Sequence, residues 1–496
     1  MAGVESRVAE QAGVLCEYMC RAVRPTASPA FAGGSYAFSS ALSGSDFSSA
    51  EQLKYTFVKG NAVIWGDVDN DGFVDLLVTT TAEVGGNKLY HNLGMSGGVH
   101  QGGCRPHRTA PHRTAAKLAS LLVTPSRRDM MTSVLSSCVA GFEALDTSIL
   151  ATDPAVNSIS AAFADYDADG DLDVLVLNSR AVNYFYRNGG AASNYSYSRV
   201  TTSPFNEGIT TKSVAAKFVD YDGDGDLDIF IVNGNEANFL YQNILGSYAK
   251  VVTGAVASGS NQNFAVDFAD FDNDGDFDFF VASRDNTYSS AIENVNPAGT
   301  YAAYSNVITS KAVSTEDVAW ADMDGDGDLD LLVVNTGTEN ELYKNVAGEH
   351  RGTDFELVSG DVTTDIDATN SQAGGWGDYN GDGAPDLFIA NSDGVNFLYK
   401  NDGNGTLVRV SGTSNFFTST DQSMGACWGD FDGDGFLDVF VVNSGGPSVL
   451  YLNEAGTDFS MEYSTPSATA TSCAVADYNQ DQRLDVFVTT SSSSEA

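Results

Sequence analysis

The sequence predicts an all-β chain folded as a β-propeller of about 50-residue, four-stranded blades, and three observations predict it. A nine-residue acidic loop, D-x-[DN]-x-D-G-x-x-D in its common form, occurs eight times along the 496 residues. Each copy is followed by a short β-branched and aromatic run such as Ile229-Phe230-Ile231-Val232, which reads as a buried strand bounded by turn residues. A second signature, close to N-x-L-Y-x-N, recurs behind most loops at one fixed distance.

The loops begin at Asp67, Asp165, Asp220, Asp270, Asp322, Asp378, Asp430 and Asp477, with successive separations of 98, 55, 50, 52, 56, 52 and 47 residues. A period near 50 made of short strands marks one blade per repeat. The second signature ends at Asn188, Asn243, Asn345, Asn401 and Asn453, each 23 residues after its loop's first Asp, with looser copies at Asn92 and Asn294. An outer strand follows, as in Tyr248-Ala249-Lys250-Val251-Val252. The blade order is therefore strand, acidic loop, buried strand, L-Y-x-N strand, outer strand. All four tryptophans, Trp65, Trp320, Trp376 and Trp428, stand two residues before a loop's first Asp, where a large ring is expected to pack between neighbouring blades.

Both chain ends fit a ring. The eighth repeat stops after its second strand, Val486-Phe487-Val488-Thr489, and residues 35–39 resemble an unpartnered outer strand. Pairing the two would close the last blade with strands from both termini and remove an exposed edge. One blade per loop gives eight blades, with seven as the alternative. The propeller is expected over 34–490, after an extension at 1–33 and before a tail at 491–496.

One segment breaks the pattern. Residues 97–138 carry six Lys or Arg and one acid, and removing about 45 residues here restores the repeat spacing. The segment is expected to be a disordered surface loop or sequence retained wrongly in the gene, with Phe142-Glu143-Ala144-Leu145 resuming as the outer strand. Cys104, His107 and His112 lack the second ligand pair that a zinc site requires.

Up to five carboxylates in nine residues repel one another unless a cation sits among them. Oxygen ligands at alternate positions, with Gly where the chain turns sharply, suit calcium better than magnesium, which demands stricter octahedral geometry. The loop is not an EF-hand: position twelve is always aliphatic, as at Val78 and Ile231, and the flanks read as strands. The last acid comes at position nine: Asp75, Asp173, Asp228, Asp278, Asp330, Asp386, Asp438 and Asp485.

The formal charge is −41, and the eight loops hold 34 Asp. Eight calcium ions would leave about −25, which argues against nucleic acid and anionic membranes as partners. No apolar run is long enough to insert in a membrane. Six Cys are too scattered for a disulfide framework, and Cys427 and Cys473 read as buried thiols in strands. No signal peptide is recognisable in the first 30 residues. Loops of this type nonetheless fill where calcium is plentiful, which favours an extracellular or cell-surface location.

Together, the D-x-D-G-D-G-D-x-D loops, the V-F-V-x-N strands and the L-Y-x-N signatures resemble the FG-GAP/VCBS repeat family, which includes the propeller of integrin α subunits. The resemblance implies side-chain ligands at loop positions one, three, five and nine and a backbone carbonyl at position seven. For the first four loops these side chains are Asp67, Asp69, Asp71 and Asp75; Asp165, Asp167, Asp169 and Asp173; Asp220, Asp222, Asp224 and Asp228; and Asp270, Asp272, Asp274 and Asp278. For the last four they are Asp322, Asp324, Asp326 and Asp330; Asp378, Asn380, Asp382 and Asp386; Asp430, Asp432, Asp434 and Asp438; and Asp477, Asn479, Asp481 and Asp485. The eighth loop departs most, with Gln482 in place of Gly and Arg483 at position seven. The function implied is a calcium-binding, non-enzymatic adhesion or binding scaffold, monomeric, for a protein or glycan. The alternative is a calcium-dependent polysaccharide lyase, which needs a base and cations to neutralise a uronate. His350 beside Arg351 is the one such pair outside the anomalous first repeat, and no catalytic residue is assigned.

Overall fold

The computed structural model describes residues 55–56, 58–59, 62–80, 86–92, 120–121, 142–145 and most of 148–490, excluding among others the connections at 202–211, 253–262, 295–300, 347–354 and 359–369. The 1–33 extension, residues 35–39, nearly all of 97–138, His350, Arg351 and the 491–496 tail lie outside the described residues, as do Asn479, Asp481 and Gln482.

The fold is the expected all-β propeller. Seven antiparallel sheets each carry four strands in blade order, and the fifth is extended by the two-residue strand Thr287–Tyr288. The first blade is Val63–Gly66, Asp75–Val78, Lys88–Asn92 and Phe142–Ala144. Asn92 pairs directly with Phe142, so the chain resumes its blade after the anomalous segment. An eighth sheet holds Ala470–Ala476 and Asp485–Thr490. The strand that joins it is Val58–Lys59, running parallel to residues 489–490.

Sequence pattern and burial agree strand by strand. The second strand of each blade, such as Asp228–Asn233, is buried along all or nearly all of its length, because blades cover it on both faces. That is why it reads as an unbroken apolar run. Outer strands such as Ser247–Val251 are half exposed and correspondingly mixed in sequence.

The eight hydrophobic clusters are each shared by two neighbouring sheets. One cluster joins Val439, Val441 and Tyr451 of the seventh blade to Phe388 and Leu398 of the sixth. Another joins Phe440 and Leu450 to Val486 and Val488 of the eighth sheet, and a third joins Phe487 to Val63, Val78 and Tyr90 of the first blade. The eighth sheet thus stands between blades seven and one and closes the ring. The tryptophans lie in these seams as expected: Trp428 meets Phe388 edge-on at 5.9 Å, and Trp320 stacks on Phe271 at 5.7 Å.

One expectation is corrected. Cys427 and Cys473 are not separate thiols but a disulfide with a Cα separation of 6.3 Å. They sit on the inner strands of blade seven and the eighth sheet, brought side by side by the ring. The bond staples the incomplete sheet to its complete neighbour.

Candidate metal centres and the rings around them

Each of the first seven acidic loops joins the first and second strands of a blade, and its backbone is folded around its own carboxylates. In the third loop the N–H groups of Asp224 and Gly225 donate to the two oxygens of Asp220, at 3.1 and 3.0 Å. The Asp226 N–H donates to Asp224 Oδ1 at 3.0 Å. Such a turn needs left-handed residues at positions four and six, here Gly223 (φ 71°) and Gly225 (φ 92°). Ala168, Asn70 and Asn273 take the same conformation at position four of other loops, with φ near 55°.

The position-nine aspartate is the hub. Asp228 is fully buried; Oδ2 accepts from Tyr221 N–H at 2.9 Å and Oδ1 from Asn243 N–H at 2.6 Å. The asparagine that closes N-x-L-Y-x-N therefore contributes its main chain to its own loop. Its side chain reaches the preceding blade: Asn243 Nδ2 donates to the carbonyl of Tyr166 at 2.7 Å. The same bond recurs from Asn92, Asn188, Asn294, Asn345, Asn401 and Asn453 to Tyr478, Val68, Tyr221, Phe271, Met323 and Tyr379, at 2.5–2.9 Å. These seven bonds run around the ring from the eighth sheet to the seventh blade.

A second polar belt, at the opposite ends of the strands, was not foreseen from the sequence. Ser213 Oγ donates to Asn233 Oδ1 at 2.9 Å within blade three, and Asn183 Nδ2 of blade two donates to Ser213 Oγ at 2.9 Å. Ser371 and Ser423 repeat both contacts in blades six and seven. The signal was present: Asn178, Asn233, Asn335, Asn391 and Asn443 all stand 13 residues after a loop's first Asp.

The first four loops bring carboxylates of positions one, three and nine together. Ligand atoms of Asp67, Asp69 and Asp75 lie within 4.8 Å of one another, as do those of Asp165, Asp167 and Asp173, of Asp220, Asp222 and Asp228, and of Asp270, Asp272 and Asp278. The position-five carboxylates are tied to the N–H of position seven, as at Asp169 and Asp326. In the sixth loop Asn380 turns its Nδ2 onto Asp386 Oδ2 at 2.8 Å, so the amide satisfies the hub internally.

Burial leaves these acids under-compensated. It pushes Asp75, Asp173, Asp228, Asp278 and Asp438 up to about 8, despite the two N–H groups on each, and neighbouring carboxylates add to the rise. Asp270 and Asp272 are pushed up to about 6 for the same reason. The inner Oδ1 atoms of Asp167, Asp222 and Asp324 are buried without a hydrogen-bond partner. A hard divalent cation fits this donor set: oxygen-only, anionic, and with buried lone pairs turned inward.

An FG-GAP-like repeat model matches residues 165–231, 220–281, 270–333, 378–441 and 430–488, together more than half of the chain. The chain belongs to the FG-GAP-like repeat family. Each matched FG-GAP-like segment runs from the first Asp of one loop to a buried strand of the next blade. Mouse cartilage acidic protein 1 is 25% identical over 406 residues, covering 75% of this chain and 55% of that protein. The Xenopus tropicalis protein of the same name is 30% identical over 192 residues, 35% of this chain and 29% of that one. The chain thus spans about half the length of the mouse relative. Among solved structures, an Agrocybe aegerita lectin aligns with a TM-score of 0.45 at 16% identity, over 70% of this chain and 90% of its own. The BP39L lectin of Burkholderia pseudomallei aligns with a TM-score of 0.43 at 14% identity, over 83% and 97%. No helix among the described residues is long and apolar enough to cross a membrane.

Proposed function

We propose that this chain is a calcium-loaded, non-enzymatic scaffold, working outside the cell or at its surface, that binds a protein or a glycan. The observation that carries the calcium reading is the convergence of position one, three and nine carboxylates around buried, unpartnered Oδ1 atoms. Charge of this density needs an ion, and an all-oxygen set in a flexible turn suits calcium over magnesium.

The disulfide Cys427–Cys473 supports the location, since such bonds persist in oxidising compartments. The name shared by the relatives, cartilage acidic protein 1, points the same way. A rigid ring with loops on one face is a common platform for recognition.

Calorimetric titration of the full chain with calcium and with magnesium tests the ion, and melting with and without chelator tests its structural role. Calcium is expected to bind at several sites, and chelation to lower the melting temperature by well over about 10 °C, because ions bound only by the native state stabilise it by mass action. An unchanged melting curve in excess chelator would overturn the calcium reading. A glycan and surface-protein screen, with and without chelator, tests the scaffold. Release of unsaturated product from uronate polymers would replace the scaffold by an enzyme.

A further inference from the structure

We propose that the side chain just before each blade asparagine, a tethered counter-ion in some blades and not in others, sorts the calcium sites into loose and tight classes. This rests on the calcium reading above and adds to it which loops fill first.

The x of L-Y-x-N lies on the third strand, beside the loop of its own blade. Arg187 places NH2 2.6 Å from Asp167 Oδ2 and 3.2 Å from Asp169 Oδ2. Lys344 pairs with Asp324 and lies 3.5 Å from Asp326, and Lys400 lies 3.1 Å from Asp382. Three loops therefore hold a permanent positive charge, on positions three and five in the second and fifth and on position five in the sixth. In the third loop the partner is neutral: Gln242 Nε2 donates to Asp222 Oδ2 at 2.6 Å. In the first, His91 Nε2 lies 2.5 Å from Asp69.

Blades four and seven break the pattern. Glu293 stands at the corresponding place in blade four, so a carboxylate replaces the base. Blade seven has the uncharged Leu452 at this place. Loop four therefore gains a negative charge and loop seven gains no base.

The tethered groups do not occupy the ion's place. They bind outer Oδ2 atoms, while the inner Oδ1 atoms of Asp167 and Asp324 stay buried and unpartnered. Ion and base can coexist, and the base acts through charge: it lowers the net negative potential that sets affinity in such loops. When calcium is absent the same base relieves repulsion, so loops two, five and six stay neutralised in part. Loops four and seven are left with their full repulsion and depend on calcium most. Asn380 deepens the effect in loop six by donating to Asp386.

The test uses the full chain in calcium titration calorimetry and in melts with chelator. The triple variant Arg187→Leu, Lys344→Met, Lys400→Met is expected to move its loops into the tight class, binding roughly tenfold more tightly. In chelator it is expected to melt below the parent, and in saturating calcium to match it. Glu293→Lys is expected to loosen one tight site by about tenfold or more. Calcium affinities unchanged by either substitution would overturn the inference while leaving the calcium reading standing. A parent chain that binds no calcium would overturn the calcium reading itself. If the triple variant does not fold, Glu293→Lys decides alone, an unaltered tight class again overturning the proposal.

Discussion

Replacing Asn243 with Ala separates the two jobs of the L-Y-x-N asparagine. Its main-chain N–H holds Asp228, and an alanine keeps that bond. Its side chain, fully buried, donates to the carbonyls of Tyr166 and Leu227 and accepts from the N–H of Gly246. Leu227 O keeps the Tyr248 hydroxyl at 2.9 Å, so the groups left without a partner are the Tyr166 carbonyl and the Gly246 N–H. An abandoned buried polar group costs roughly 1–3 kcal/mol, and the Gly246 N–H is only partly buried. The expected destabilisation is therefore about 3 kcal/mol, read as a shift in urea midpoint in saturating calcium, where a change in slope would signal that the ring no longer unfolds as one unit. Calcium stoichiometry should not change. A loss below about 1 kcal/mol would refute the reasoning that this side chain ties blade to blade. Loss of one calcium site at full stability would show that it serves the ion instead.

Three further outcomes follow from the same geometry. Cys427→Ser with Cys473→Ser opens a loop with a sequence separation of 46 residues and is expected to cost about 2–4 kcal/mol, measured against the parent with and without reductant; equal stability of reduced and oxidised parent would contradict this. Deleting 97–138 should leave the propeller folded, because Asn92 and Phe142 already pair across the segment; loss of soluble protein would show the segment to be structural. Asp317, pushed up to about 7 by burial despite the N–H groups of Gly374 and Val318, holds its proton in the native state between about pH 4 and 7, while the unfolded chain releases it. The stability it contributes is complete below its unfolded value and is lost as pH rises to about 7, so Asp317→Asn should flatten that fall by on the order of a few kcal/mol; identical pH profiles in saturating calcium would refute it.

Much of this was legible in the chain because blades repeat one solution to one packing problem. A second strand covered on both faces must be apolar along its length, which is why Asp228–Asn233 and Asp438–Asn443 announce themselves. Trp376 and Trp428 were placed in the seams by register alone, and both are buried there. What escaped the sequence depends on neighbours across the ring. Cys427 and Cys473 meet only because the eighth sheet packs against blade seven. The strand that joins the last sheet is Val58–Lys59, too short to carry a pattern. The residue at x in L-Y-x-N changes type from blade to blade, from Arg187 to Glu293 and Leu452, so it falls out of a consensus, although under the proposed sorting it is the source of inequality among the loops.

The hydrophobic seams alone would not fix how blades meet. Apolar burial is nondirectional, and a seam of Val, Ile and Phe tolerates sliding better than it tolerates voids. Direction comes from the two polar belts, whose members are buried and lose much if a neighbour shifts. At the loop end that belt runs through position nine: Asp278 accepts from Asn294 N–H, and Asn294 Nδ2 grips the Tyr221 carbonyl of the blade before. The carboxylate that would ligate the ion is thus one peptide unit away from the bond that fixes the next seam. On the calcium reading proposed above, losing the ion would leave that buried carboxylate either protonated or repelled by its neighbours, and the strain would fall on the same asparagine. Calcium in this ring is therefore expected to hold blade against blade as well as to close each turn.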